Sequence, residues 1–147
     1  MDPRHDFPPP RHVRELFSLE GRVALVTGGA GRYGAGQTWA VAEAGAKTIV
    51  ASRNLDNCQA MVEQLRAAGC DAVARQLDLT SEESITDCCA WIEADLGRLD
   101  VLFNNAVSRS SGGDFSTVTA KQWTDTMAVN STSLLVCTRA CAEIAKR

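Results

Sequence analysis

Apolar residues along this chain follow two alternating rhythms, short unbroken runs and longer segments in which they recur every three or four positions. Residues 22–27 (R-V-A-L-V-T) are a β-branched run with glycine on both sides, the pattern of a strand buried on both faces. Residues 35–44 (A-G-Q-T-W-A-V-A-E-A) read as an alanine-rich helix that Gly45 stops, and residues 47–52 as a second strand. The pattern repeats over residues 56–68, where Met61, Val62 and Leu65 share a helical face before Gly69, and residues 72–77 form a third strand. Thr80 with Glu83 reads as a capping box for a helix carrying Ile85, Cys89, Ile92 and Leu96, which Gly97 ends before a fourth strand at 99–104. After a glycine and serine loop, Thr119 and Gln122 form another capping box. It opens a long helix over 120–146 with Trp123, Met127, Leu134, Cys141 and Ile144 at near-helical spacing.

Strands that alternate with helices at this spacing need right-handed crossovers, and right-handed crossovers make a parallel sheet. The predicted fold class is therefore α/β, a doubly wound parallel sheet of four strands and four helices. Residues 1–14 are polar and contain Pro8, Pro9 and Pro10, so they read as a flexible lead-in to a single domain over 15–147.

Composition narrows the function. With 147 residues, 45% hydrophobic and 22% charged, the chain fits one ordinary globular domain. A net charge of −3 with dispersed Lys and Arg leaves no basic stripe, which argues against nucleic acid as a partner. The absence of a long apolar run and the charged, proline-rich start argue against a membrane span or a secretory leader, so a cytoplasmic protein is expected. The six cysteines contain no C-x-x-C pair, and both histidines lie in the lead-in, so no metal site is expected and the cysteines read as reduced core thiols. Cys137 and Cys141 are one helical turn apart and share a face.

Gly29-Ala30-Gly31-Arg32-Tyr33-Gly34 matches G-x-G-x-x-G between a predicted strand and a predicted helix, the context that gives this pattern meaning. Residues without a Cβ let the backbone approach a pyrophosphate, whose charge meets the free N–H groups of the helix start. The expectation is a Rossmann-type dinucleotide site at the switch point between strands one and four. Where the second strand ends, at Ala51-Ser52-Arg53-Asn54, an NAD-preferring site would present an acidic residue to the ribose hydroxyls. Ser52 stands there instead, beside Arg53, which favours NADP over NAD.

Thr27-Gly28 opening the turn, Asp78-Leu79 after strand three and Asn104-Asn105-Ala106 after strand four together resemble the short-chain dehydrogenase/reductases from about Leu16 to the last residue. In that family the turn reads T-G-x-x-x-G-x-G, and Arg32 here replaces the middle glycine. Its side chain must either point away from the pyrophosphate or fold over it as an added phosphate contact. The resemblance implies that Asp78 accepts from the adenine amino group with Leu79 beside the ring, that Asn104 to Ala106 line the floor near the adenosine ribose, and that Asn130 bends the long helix and holds a relay water. It also implies hydride transfer between nicotinamide and an alcohol or carbonyl substrate, and a homo-oligomer packed along the long helix. The family's tyrosine and lysine are not found: Tyr33 is the only tyrosine, and Gln37 stands four residues after it. The chain is thus expected to be an incomplete, cofactor-binding half, with an apolar fourth strand that invites self-association when made alone. A non-catalytic NAD(P) sensor or subunit is the alternative. A methyl-donor transferase fits less well, because it leaves the Asn-Asn-Ala segment unexplained.

Overall fold

The computed structural model describes residues 12–109, 114 and 116–146, so the expected lead-in falls mostly outside the described residues. The chain runs through a helical turn α1 (Val13–Leu16), then β1 (Val23–Thr27), α2 (Gly34–Glu43), β2 (Lys47–Ser52), α3 (Leu55–Ala67), β3 (Ala72–Gln76) and α4 (Glu82–Trp91). A π-helical turn (Ile92–Leu96) leads to β4 (Val101–Phe103), and the last segment comprises α5 (Ala120–Met127), a second π-helical turn (Ala128–Thr132) and α6 (Ser133–Ala145). All strand pairs are parallel, in the order β3-β2-β1-β4. The chain winds outward from β1 to β3 and then returns past β1 to lay down β4, which makes the gap between β1 and β4 the switch point.

Period-two alternation sends successive side chains of β1 and β2 to opposite faces. Leu25, Ile49 and Ala51 pack with Ile85, Cys88 and Ile92 of the α4 segment and Cys137, Cys141 and Ile144 of α6. On the other face Val50 packs with Ala42 of α2 and with Cys58, Val62 and Leu65 of α3. Both faces of these strands are therefore dry, which explains the unbroken apolar runs Val23–Val26 and Ile49–Ala51 at their centres. The predicted glycine stops Gly45, Gly69 and Gly97 adopt φ of 98°, 84° and 69°. Among the described residues no helix is long and apolar enough to cross a membrane.

Two local expectations are corrected. Ser81, not Thr80, caps α4: its Oγ accepts the N–H of Ser84 at 3.2 Å, while the Thr80 hydroxyl donates to Asp78 Oδ1 at 2.8 Å. A preceding Asp offers Thr80 a closer partner than the helix start, so the cap passes to the next residue. The long helix is not continuous either. The π-turn at Ala128–Thr132 adds a residue to one turn and puts α5 out of phase with α6. α6 buries Cys137, Cys141 and Ile144 but leaves Leu134 45% exposed, and α5 buries nothing, with Trp123 and Met127 61% and 39% exposed.

At the amino ends of the strands Asp100 ties β4 to β1. Its carboxylate accepts the Val23 N–H at 2.8 Å and the Arg22 guanidinium at 3.0 Å, and pairs with Arg98. Hydrogen bonding from Arg98, above all, holds this carboxyl well below the usual carboxylate range.

Candidate functional site

At the opposite, carboxyl ends of the strands a cleft of about 400 Å³ opens over the switch point. Its first wall is the turn after β1. Gly28 has φ 65°, and a Cβ on Gly34 would stand 2.1 Å from the Gly28 carbonyl oxygen and 2.7 Å from Asn105 Nδ2, so only glycine closes the turn against the strand β4 side. The turn delivers the chain into α2, whose first residues have no side-chain cap. Its opening N–H groups lack intrahelical partners and form the positive end of the helix dipole.

The ends of β2 and β3 continue this wall with Ala51, Ser52, Arg53, Leu77, Asp78, Leu79 and Thr80. Ser52 turns its hydroxyl inward, donating to the Asn54 carbonyl at 2.9 Å with Cys58 Sγ at 3.0 Å, which leaves Arg53 as the cation of this corner, facing the Asp78 carboxylate. Burial pushes the Cys58 thiol up. Asp78 Oδ1 accepts the Thr80 N–H at 2.9 Å as well as its hydroxyl, and these bonds hold its carboxyl below the ordinary value.

Asn105, Ala106, Val107, Ser108 and Arg109, with Val129, form the facing wall. Thr27, buried in β1, anchors it: its hydroxyl donates to the Phe103 carbonyl at 3.0 Å and accepts the N–H groups of Asn105 and Ala106 at 3.2 Å each. Asn105 returns the tie by donating Nδ2 to the Thr27 and Gly28 carbonyls at 3.0 and 3.3 Å. Above the mouth, the Arg109 guanidinium lies 5.4 Å from the centroid of the Tyr33 ring and spans both walls. Arg32, Arg53 and Arg109 all line the cleft, and none forms an ion pair with another described residue.

Of the residues singled out by sequence, the cleft gathers Thr27, Gly28, Gly31, Arg32, Tyr33, Gly34, Ser52, Arg53, Asp78, Leu79, Asn105 and Ala106. Four others stand behind it. Gly29 is a packing glycine, where a Cβ would meet Thr38 Oγ1 at 2.8 Å. Asn54 caps α3 by accepting the Asn57 N–H at 3.0 Å, and Asn104 turns away to donate to Thr138 of α6 at 2.9 Å. Asn130, in the π-turn, accepts the Ser108 N–H at 2.7 Å and donates to the Ser108 carbonyl at 2.9 Å, which leaves one N–H and one lone pair for anything else. Ala51, Leu77, Thr80, Val129 and the loop residues Val107, Ser108 and Arg109 that follow Ala106 were not singled out for the cofactor site. The first three adjoin Ser52 and Asp78 at strand ends, where the carboxyl-end rule points, but Val129 joins only because the long helix crosses the loop after β4.

Comparison with known proteins agrees with this architecture. The family model described as short chain dehydrogenase matches residues 22–147. A 2,5-dichloro-2,5-cyclohexadiene-1,4-diol dehydrogenase of Sphingobium indicum is 36% identical over 118 residues, 80% of this chain and 47% of its own length. A metagenomic short-chain oxidoreductase solved in complex with NADP superimposes with a TM-score of 0.80 at 31% identity, over 86% of this chain and 57% of that one. A gluconate 5-dehydrogenase from Burkholderia cenocepacia, solved with NADP and tartrate, has a TM-score of 0.80 at 27% identity, over 90% of this chain and 51% of that one. The chain spans about half the length of the curated relatives it matches.

Proposed function

The chain belongs to the short chain dehydrogenase family, and from that premise we propose that its cleft is the NADP-binding part of an oxidoreductase acting on an alcohol or carbonyl substrate. The observation that carries this reading is the charge of the cleft. Three arginines that form no ion pair among the described residues and an uncapped helix start face it against the one carboxylate of Asp78, and none stands at the end of β2, so the excess positive charge suits an anion-rich dinucleotide. The turn from Gly28 to Gly34 with Arg32 would hold the pyrophosphate, Arg53 the extra ribose phosphate, Asp78 and Leu79 the adenine, and Asn105 with Ala106 the adenosine ribose. Bound there, the cofactor supplies the nicotinamide that gives or takes a hydride.

The residues of this chain bind and orient; none is assigned the proton transfer that must accompany the hydride. Tyr33, the only tyrosine, lies in the glycine turn with its ring under Arg109, and no lysine stands four residues on. Asn130 serves as a positioning residue that fixes Ser108 on the wall. A non-catalytic NADP-binding subunit is the alternative reading, and turnover of an alcohol panel by the purified protein separates the two. Self-association along α5 and α6 belongs to the proposal, supported by the exposure of Trp123 at 61% and Leu135 at 64%.

The test is a fluorescence titration with NADPH and with NADH, run in parallel on an Arg53→Ala variant. NADPH is expected to bind about tenfold tighter than NADH, and the variant to lose that preference. Equal affinities in the unaltered chain, or a variant that keeps its preference, would overturn the assignment.

A further inference from the structure

The face of the sheet covered by α4 and α6 holds a group of thiols that the cofactor cleft does not use. Cys88 and Cys89 of α4 and Cys137 and Cys141 of α6 are buried in one cluster. Cys89 Sγ lies 3.9 Å from Cys141 Sγ across the helix pair, and Cys141 Sγ lies 4.0 Å from Cys137 Sγ along one turn of α6. Cys89 and Cys141 are 52 positions apart in sequence, so their meeting is a product of packing alone.

We infer that Cys89 and Cys141 form a dithiol site that hydroperoxides convert to an intramolecular disulfide joining α4 to α6. Among the three sulfurs in contact this pair is the one geometry allows. Cys137 and Cys141 lie on one helix, where Cβ atoms one turn apart tilt the same way and cannot face each other as a disulfide requires. Cys89 and Cys141 approach from different helices, and rotation of their side chains with a small shift of α4 against α6 closes the remaining gap.

The order of attack follows from exposure and hydrogen bonding. Cys89 is 9% exposed, against 3% for Cys141 and 1% for Cys137, so it meets an oxidant first. Contact with Cys141 lowers the Cys89 and Cys137 thiols alike and burial pushes the neighbouring Cys88 thiol up to about 12, so exposure is what sets Cys89 apart from Cys137. The Cys89 thiolate attacks one oxygen of hydrogen peroxide, the O–O bond breaks, and a sulfenic acid forms while the departing hydroxide takes up the proton the thiol gave up and leaves as water. The Cys141 sulfur then displaces the sulfenic oxygen as a second water. One S–S bond has formed, the two thiols have given up two electrons and two protons, and the peroxide has been reduced.

Trypsin makes the outcome legible, because Arg139 puts Cys137 and Cys141 on different peptides. The full chain is treated in native buffer with equimolar hydrogen peroxide, its remaining thiols are alkylated, and the digest is mapped by mass spectrometry. The expected product links peptide 76–98 to peptide 140–146 and is reversed by dithiothreitol. Fragment ions across the 88–89 bond place the link on Cys89, and it persists in Cys88→Ser but is lost in Cys89→Ser. The inference is overturned if all thiols stay reduced, if Cys89 over-oxidises without a link, if the link runs through Cys137 or Cys88, or if it forms only after denaturant is added. Far-UV circular dichroism before oxidation verifies that each variant is folded. If a variant is not, the fragment ions of the unaltered chain decide alone.

Discussion

The cleft wall made by residues 28–34 and 52–53 stands on β1 and β2, where Leu25, Val26, Ile49 and Val50 are at most 1% exposed, and residues 77–80 extend it from the end of β3. The facing wall, residues 105–109 with Val129, stands on β4, a strand of three residues that are all only half-buried. The first wall takes its shape from backbone sterics, a left-handed Gly28 and a Gly34 with no room for a Cβ. The second is held by side-chain hydrogen bonds, from Thr27 and Asn105 on one side and Asn130 on the other. The cleft thus has one wall that cannot move without breaking the fold and one that can be loosened by removing single polar groups.

The largest effect is expected where the two walls touch. Gly34→Val puts a branched side chain into the Gly28 carbonyl and the Asn105 amide together, so it should destabilise by about 4 kcal/mol or more in urea denaturation and abolish NADPH binding. Should the variant retain both stability and binding, the first wall is not sterically set. Thr27→Val keeps the shape of a buried side chain but strands the Ala106 N–H and leaves the Asn105 N–H only its 3.0 Å bond to the Phe103 carbonyl. A loss of about 2 kcal/mol is expected, and amide exchange should quicken at residues 105–109 but not at 28–34.

Asp100→Asn probes whether β4 is controlled from its far end. It weakens the charge-assisted bonds to Val23, Arg22 and Arg98 and should cost about 1–2 kcal/mol near neutral pH while leaving NADPH affinity unchanged. Because the folded-state pKa of Asp100 lies below its ordinary value of 3.8, its contribution is complete above about pH 4 and fades as pH falls through the depressed value. The stability gap between this variant and the unaltered chain should therefore narrow in acid. The smallest effect is expected for Asn130→Ala, which frees the exposed Ser108 backbone: about 0.5 kcal/mol of stability and a several-fold weaker NADPH affinity.

The two walls were also unequally legible in the sequence. Hydrophobic runs bounded by glycine mark β1 and β2, and a glycine turn between a strand and a helix carries its own steric reason, so Gly28 to Gly34, Ser52 and Arg53 can be named from residue type and order. The second wall depends on partners far away in the chain. Whether Asn104 or Asn105 faces the cleft is decided by Thr138 and Thr27, and Asn130 finds Ser108 across 22 positions. Helical periodicity predicted one apolar face from Trp123 to Ile144, but the π-turn breaks its phase, and no propensity rule locates such a turn. Thr80 lost its expected cap to Ser81 because a local bond to Asp78 competes with the helix start, which pattern matching does not weigh. The meeting of Cys89 with Cys141 likewise required the packed helices.

The most direct test of the cleft assignment is to titrate the isotopically labelled chain with NADP and follow backbone amide resonances. The account predicts shifts concentrated at residues 28–34, 52–54, 78–80 and 105–109, with Arg22 and residues 98–100 at the other end of the strands unmoved. Shifts centred on the Asp100 end, or none at saturating NADP, would contradict it.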